Sequence, residues 1–194
     1  MKPVLALSKE HRSIRNYSQK PIPPKMIGNI LEAAGQAPSG LNRQPWLFAV
    51  VEDPELKKLI REESERVEVE FYRKITEKTR KEFEEMKLTV KKEFLTEAPA
   101  LIAVFCDTES TYCKESTWLS IGWLLLAATE AGLSTLTYTP DDLSFLNKLL
   151  NIDYRFHPEV IIPIGYGDKK GSKSRKTSDE IIKYFCLFKM PDLP

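Results

Sequence analysis

Ala37-Pro38-Ser39-Gly40-Leu41-Asn42-Arg43-Gln44-Pro45-Trp46 is the stretch on which the fold turns. Before it, Met26, Ile27, Ile30, Leu31 and Ala34 recur at helical spacing behind Pro23-Pro24, so an amphipathic helix begins at the prolines and ends near Gly35 to Ala37. Pro38-Ser39-Gly40 then turns the chain sharply and leaves successive backbone N–H groups able to face an acceptor-rich ligand. Leu47 to Val51 reads as an apolar strand. Asp53-Pro54 opens the next helix, since a carboxylate accepts from orphan N–H groups and proline suits the first turn.

Upstream lies His11-Arg12-Ser13-Ile14-Arg15, a basic segment. A phosphate monoester is best held by planar guanidinium forks and a hydroxyl, and Arg12, Ser13 and Arg15 supply both. A phosphate grip at one end and a donor-rich turn at the other suit a long anionic cofactor, and FMN has that shape of demand.

Downstream, residues 56 to about 95 are highly charged, with Val67, Phe71, Ile75, Phe83 and Leu88 as a thin apolar stripe. This predicts a solvent-facing helical lid, about 62–95, rather than core. Ala100 to Phe105 is a buried strand, and Trp118 to Ala131 is apolar nearly all round. A helix of that kind must be covered on every side, and a second copy of the chain is the simplest cover, so a homodimer packed through it is expected. Gly132 ends that helix. Leu133 to Tyr138 and Glu159 to Ile164 read as further strands, Leu143 to Leu150 as a helix, and Ile181 to Phe188 as part of an extended tail, about 178–194. The expected fold is an α+β sandwich, a sheet flanked by helices in one domain spanning 1–194.

The chain has 194 residues, 42% of them hydrophobic, which is enough for one substantial core. Lys plus Arg number 29 against 28 Asp plus Glu, so no field is present that would collect nucleic acid. Cys106, Cys113 and Cys186 lack Cys-x-x-Cys spacing and only His11 and His157 could join them, so no recognisable zinc or iron site is expected and the cysteines read as reduced, packed thiols. No apolar run suits a signal peptide or a membrane span, and a cytoplasmic protein acting on small molecules is the expectation.

The set Arg12-Ser13-x-Arg15, Ala37-Pro38-Ser39-x-x-Asn42-x-Gln44-Pro45-Trp46, Leu136-Thr137-Tyr138-Thr139-Pro140 and Pro163-Ile164-Gly165-Tyr166-Gly167 followed by Ser174-Arg175-Lys176 resembles the nitroreductase-like FMN flavoproteins. The resemblance covers nearly the whole chain. It implies a sandwich fold, a central mostly antiparallel sheet flanked by helices, in an intertwined homodimer whose C-terminal tail adds to the partner's sheet. It also implies FMN held by His11, Arg12, Ser13, Arg15, Pro38, Ser39, Gly40, Asn42, Thr137, Tyr138, Thr139 and Arg175. Thr139 falls nearest flavin N5, where a hydroxyl can donate or accept during one-electron reduction, and is the expected catalytic residue.

Within that superfamily, Glu68-x-x-x-Tyr72 followed by Lys92-Glu93-Phe94-Leu95 resembles the lid of the iodotyrosine deiodinase branch. Glu68 and Tyr72 share a helix face. With Lys92 they could meet both charges of an amino-acid zwitterion, and the Leu41 backbone N–H could meet its phenolate. The resemblance therefore implies reductive dehalogenation of halotyrosines. An NAD(P)H-dependent nitro or quinone reductase is the alternative, and a flavin-binding protein without turnover a third. An external donor, NAD(P)H or a reduced electron carrier, is needed by either enzyme.

Overall fold

The computed structural model describes residues 2–86, 88–167, 175, 176 and 181. Its centre is a four-stranded antiparallel sheet in the order β1-β2-β4-β3, from β1 (Trp46–Val51), β2 (Ala100–Asp107), β3 (Ser134–Thr135) and β4 (Phe156–Gly165). Successive side chains of a strand face opposite sides, and here each side has its own core. Leu101, Ala103, Phe105 and Ile161 pack with α3 (Pro54–Lys74), α5 (Phe94–Glu97) and α7 (Phe145–Leu150). Ala100, Ile102, Val104, Val160, Ile162 and Ile164 pack with α2 (Pro24–Gly35) and α6 (Cys113–Glu130). The α+β sandwich read from the sequence is the one observed.

The predicted boundaries have physical anchors. Pro24 starts α2, and the Asp53 carboxylate accepts from the Leu56 N–H at 2.8 Å to cap α3. Gly132, at φ +78°, ends α6, and the Leu133 N–H returns to Ala128 O at 2.9 Å. Two expectations need correction. The helix predicted from Trp118 begins at Cys113. The strand predicted over Leu133 to Tyr138 shrinks to Ser134–Thr135 plus a bridge from Tyr138 to Ile161. Pro163 explains the break: its carbonyl accepts from the Leu136 N–H at 3.3 Å, but it has no N–H to return. A short helix, α1 (Val4–Glu10), was not expected.

The charged excursion is α3 continuing past the core, then α4 (Glu77–Glu85). Its base is not solvent-facing as expected, because Ile60, Ser64, Val67 and Glu68 are buried. The tail expected at about 178–194 falls outside the described residues, apart from an exposed Ile181. Among the described residues no helix is long and apolar enough to cross a membrane.

Candidate active site

A cleft of about 410 Å³ opens where α3 passes over the segment after β3. Arg15, Glu68, Tyr72, Lys92 and Thr137 to Thr139 all line it. The backbone sets up one wall. Leu136 and Tyr138 donate their N–H groups to Pro163 O and Ile161 O on β4, at 3.3 and 2.9 Å. Alternation turns the Thr137 and Thr139 N–H groups the other way, and among the described residues they have no partner. Thr139 is exposed and Thr137 half-buried.

The opposite wall is charged and dry. Glu68 Oε2 lies 3.2 Å from Lys92 Nζ, and the Tyr138 hydroxyl donates to Glu68 Oε1 at 3.0 Å. Burial raises the Tyr138 pKa far above the ordinary phenol range, and the Glu68 charge adds to that, so Tyr138 keeps its proton. Burial likewise lowers the Lys92 pKa. Glu68 opposes that shift and Arg15 reinforces it. Lys92 Nζ also donates to Thr89 O at 2.7 Å and stands 5.8 Å from the centre of the Tyr72 ring. The Tyr72 pKa is raised by burial first and by Glu68 second.

Sequence reading missed the residues that hold Lys92. The Lys92 backbone N–H donates to Glu65 Oε1 at 2.8 Å, and Arg61 Nε donates to the same oxygen at 2.7 Å. Burial would raise Glu65, but these donors outweigh it and hold the carboxyl below its usual range. Arg61 also donates to Thr96 Oγ1 at 3.0 Å, so α3 is stitched to the segment that carries Lys92. Spacing four residues before Arg61's partner was the available signal, an Arg61–Glu65 helical pair.

Other predicted residues lie elsewhere. Arg12 turns back on its own segment, donating to Lys9 O at 2.6 Å and His11 O at 2.7 Å, beside a depression it shares with Thr129 and Ser134. His11 Nδ1 is 3.3 Å from Thr129 Oγ1. Ser13 is exposed and bridges Thr135, and Arg175 is exposed. Pro38, Ser39, Gly40, Leu41 and Asn42 do not line the cleft. Their loop precedes β1, at the far edge of the sheet from Tyr138, and packs on the start of α6. The Gly40 N–H donates to Ser116 Oγ at 3.2 Å, and a Cβ on Gly40 would stand 2.7 Å from the Tyr112 ring. Leu41, Asn42 and Gln44 hold φ near +50° (51°, 54° and 48°). The turn is pinned by the Ser39 hydroxyl, which accepts from the Gln44 N–H at 2.9 Å. Leu41 is 77% exposed, and among the described residues its N–H has no partner.

The donors around the cleft have a definite chemistry. An exposed guanidinium at Arg15, a hydroxyl at Thr139, and outward N–H groups at Thr137 and Thr139 fit a phosphorylated, acceptor-rich ring system. Residues 9–166 match the nitroreductase family. The chain belongs to that family. Among nitroreductase-family relatives, the iodotyrosine deiodinase of Thermotoga neapolitana is 38% identical over 184 residues, covering 95% of this chain and 98% of the relative. A crystal structure of oxidised iodotyrosine deiodinase bound to FMN and 3-iodo-L-tyrosine superposes with a TM-score of 0.89 at 36% identity, covering 96% of this chain and 100% of that one. A nitroreductase-family protein from Streptococcus pneumoniae gives 0.73 at 25% identity, covering 94% and 100%. Within the nitroreductase family, the chain falls in the iodotyrosine deiodinase branch.

Proposed function

We propose that this chain is an FMN-dependent reductive dehalogenase of halotyrosines that works as a homodimer. The observation that carries the reading is the buried Glu68–Lys92 pair facing Thr137 to Thr139 across one cleft. Two opposite charges held side by side match the ammonium and carboxylate of an amino acid, and a nitroaromatic needs neither. Bound FMN supplies the two electrons that, with a proton, replace halide by hydrogen on the phenol ring.

The chain's own residues divide the remaining work. Glu68 receives the ammonium, Lys92 the carboxylate, and the Tyr72 hydroxyl donates beside it. Their direct ion pair opens to admit the zwitterion, so two charge pairs replace one. Tyr138 stays protonated and keeps Glu68 aimed. Arg15, with Ser13, Arg12 and Arg175, holds the phosphate, and Thr139 addresses the flavin ring.

A second copy supplies what one chain leaves apart. The Pro38 to Asn42 loop carries an outward Leu41 N–H but lies away from its own cleft, and α6 exposes Leu119 and Trp123 on one face. Docking through that face would bring the partner's loop to the phenolate, with the lid at about 62–95 closing above and the tail at about 178–194 crossing between subunits. The electron donor belongs to the same proposal, as NAD(P)H or a reduced carrier in the cytoplasm.

The test is a titration of the FMN-loaded protein with diiodotyrosine and with tyrosine while flavin fluorescence is followed. Saturable quenching by diiodotyrosine, weakened tenfold or more in Glu68→Gln, is expected from loss of a charge-assisted contact of about 1.5–3 kcal/mol. A protein that refuses FMN, or one whose response is indifferent to Glu68→Gln, overturns the reading. The latter outcome, with rapid NAD(P)H oxidation, would mark a nitro or quinone reductase. Nitroaromatic turnover alone would not, because an exposed reduced flavin reduces nitro groups in either enzyme.

A further inference from the structure

On the far side of Thr139 and Pro140, a second cavity of about 260 Å³ is lined by Lys114, His157 and Glu159. Behind it the last residues of β2 and the first of β4 meet the first turn of α6, and three metal-ligating side chains come together with a second cysteine beside them. Cys106 Sγ lies 3.3 Å from Cys113 Sγ and 3.4 Å from Glu159 Oε1. His157 Nδ1 lies 3.3 Å from the same Glu159 oxygen. One ligand atom each from Cys106, His157 and Glu159 falls within 4.8 Å of the other two, and Cys113 adjoins them through the sulfur contact.

We propose that Cys106, Cys113, His157 and Glu159 form a binding site for a thiophilic divalent cation, with zinc the ion of matching chemistry. Four considerations support it. Tetrahedral zinc at about 2.3 Å from sulfur and about 2.0–2.2 Å from nitrogen or oxygen separates its ligands by about 3.3–3.8 Å, close to the Cys106–Cys113, Cys106–Glu159 and Glu159–His157 contacts already present, and Cys113 completes the set by closing on the other two. Sheet register makes the geometry a property of the fold, since Cys106 and His157 are paired across β2 and β4. The outer carboxylate oxygen is committed elsewhere: Trp118 Nε1 donates to Glu159 Oε2 at 2.9 Å, which leaves Oε1 for the ion, as a ligand oriented by a neighbour. Charge also balances, because two thiolates and a carboxylate exceed the dication by one, and Lys114 Nζ stands 3.9 Å from Glu159 Oε2.

Cys106 and Glu159 are buried, Cys113 is half-buried and His157 is exposed at the mouth of the cavity, so the ion has a way in and a dry seat. Binding exchanges the two thiol protons for two metal–sulfur bonds and releases those protons to solvent, with no change of oxidation state. The ion would fasten the start of α6 to the sheet. That is also where Tyr112 and Ser116 support the Gly40 turn.

The test uses the full-length protein, reduced, stripped with chelator and re-equilibrated with zinc or cobalt. Expected are one metal per chain, two protons released per metal, a thiolate-to-cobalt charge-transfer band and a higher Tm with zinc. Cys113→Ser and His157→Ala should each weaken zinc binding by roughly tenfold or more. His157 is exposed, so His157→Ala remains informative even if Cys113→Ser folds poorly. Absence of zinc uptake, zinc uptake equal in His157→Ala and the parent, or a cobalt spectrum without thiolate bands overturns the proposal. So does a reduced protein that takes up no metal but forms a Cys106–Cys113 disulfide under mild oxidation, which would make the pair a redox couple.

Discussion

Lys92 sits where burial and a neighbouring carboxylate pull its proton in opposite directions, and burial wins. Its folded pKa is below the ordinary lysine range, so the unfolded chain holds that proton more tightly. Between the two values stability rises with pH, and below the folded value the contribution is constant. NMR titration of the Lys92 side chain should give a midpoint below that of free lysine, and lower still in Glu68→Gln, where the one charge that opposes the shift most is gone. An unchanged midpoint in the variant would remove Glu68 as its counter-charge. At Thr139, the valine variant should lose roughly tenfold in dehalogenation, the equivalent of about 1.4 kcal/mol, and less in nitro reduction. Equal losses in the two assays would refute the hydroxyl's assigned role. That Glu68, Tyr72 and Lys92 share one cleft was legible in the sequence, because helical spacing and a family-like lid pattern both grouped them. Glu65 and Arg61 were not, since a polar helix in water shows the same pair without a cleft beside it. For the cysteines, chain spacing and sheet register carry different information: no Cys-x-x-Cys pattern is present, whereas cross-strand register places Cys106 opposite His157.

Helix α3 has two halves with different neighbours. Its first turns pack Ile60 and Ser64 into the core, and its last turns carry Phe71 and Tyr72 to meet Phe83 of α4, with ring centres 6.2 and 5.6 Å from that of Phe83. This aromatic knot ties the two helices over the cleft. Phe83→Ala should weaken halotyrosine binding by about 1 kcal/mol, roughly fivefold in Kd, with kcat at saturation little changed. Limited proteolysis of the free protein should also cut faster near 77–86. A kcat loss without a Kd change would place Phe83 outside the closing motion. Element boundaries were readable wherever a single residue enforces them, as Pro24, Asp53 and Gly132 do. The sequence reading overran after Gly132, because the strand-like segment Leu133 to Tyr138 does not reveal that its ladder partner is a proline. It also took the base of the lid for surface, because charged neighbours hide the buried face of α3 that carries Val67 and Glu68.

At the scale of the molecule, two cores share one sheet, and α6 covers one of them while leaving Leu119 51% and Trp123 45% exposed. Leu119→Asp with Trp123→Asp should yield a monomer in sedimentation velocity that folds but retains FMN poorly, because the Pro38 to Asn42 loop does not reach its own cleft. A monomeric double variant with parental FMN affinity would show one chain to be sufficient. The sandwich itself was visible from alternating helices and strands, whereas the distance between the loop and the cleft follows from strand order, which no local pattern encodes. Strand order has a further effect during synthesis. Every residue from Ala100 to Cys106 is buried, and β2 lies between β1, already made, and β4, which begins only at Phe156. While the ribosome adds the intervening segment, one flank of an uncharged, proline-free ribbon stands open to any like ribbon nearby. Yield in a host cell should therefore depend on translation speed and chaperone supply more than the finished protein's stability would suggest.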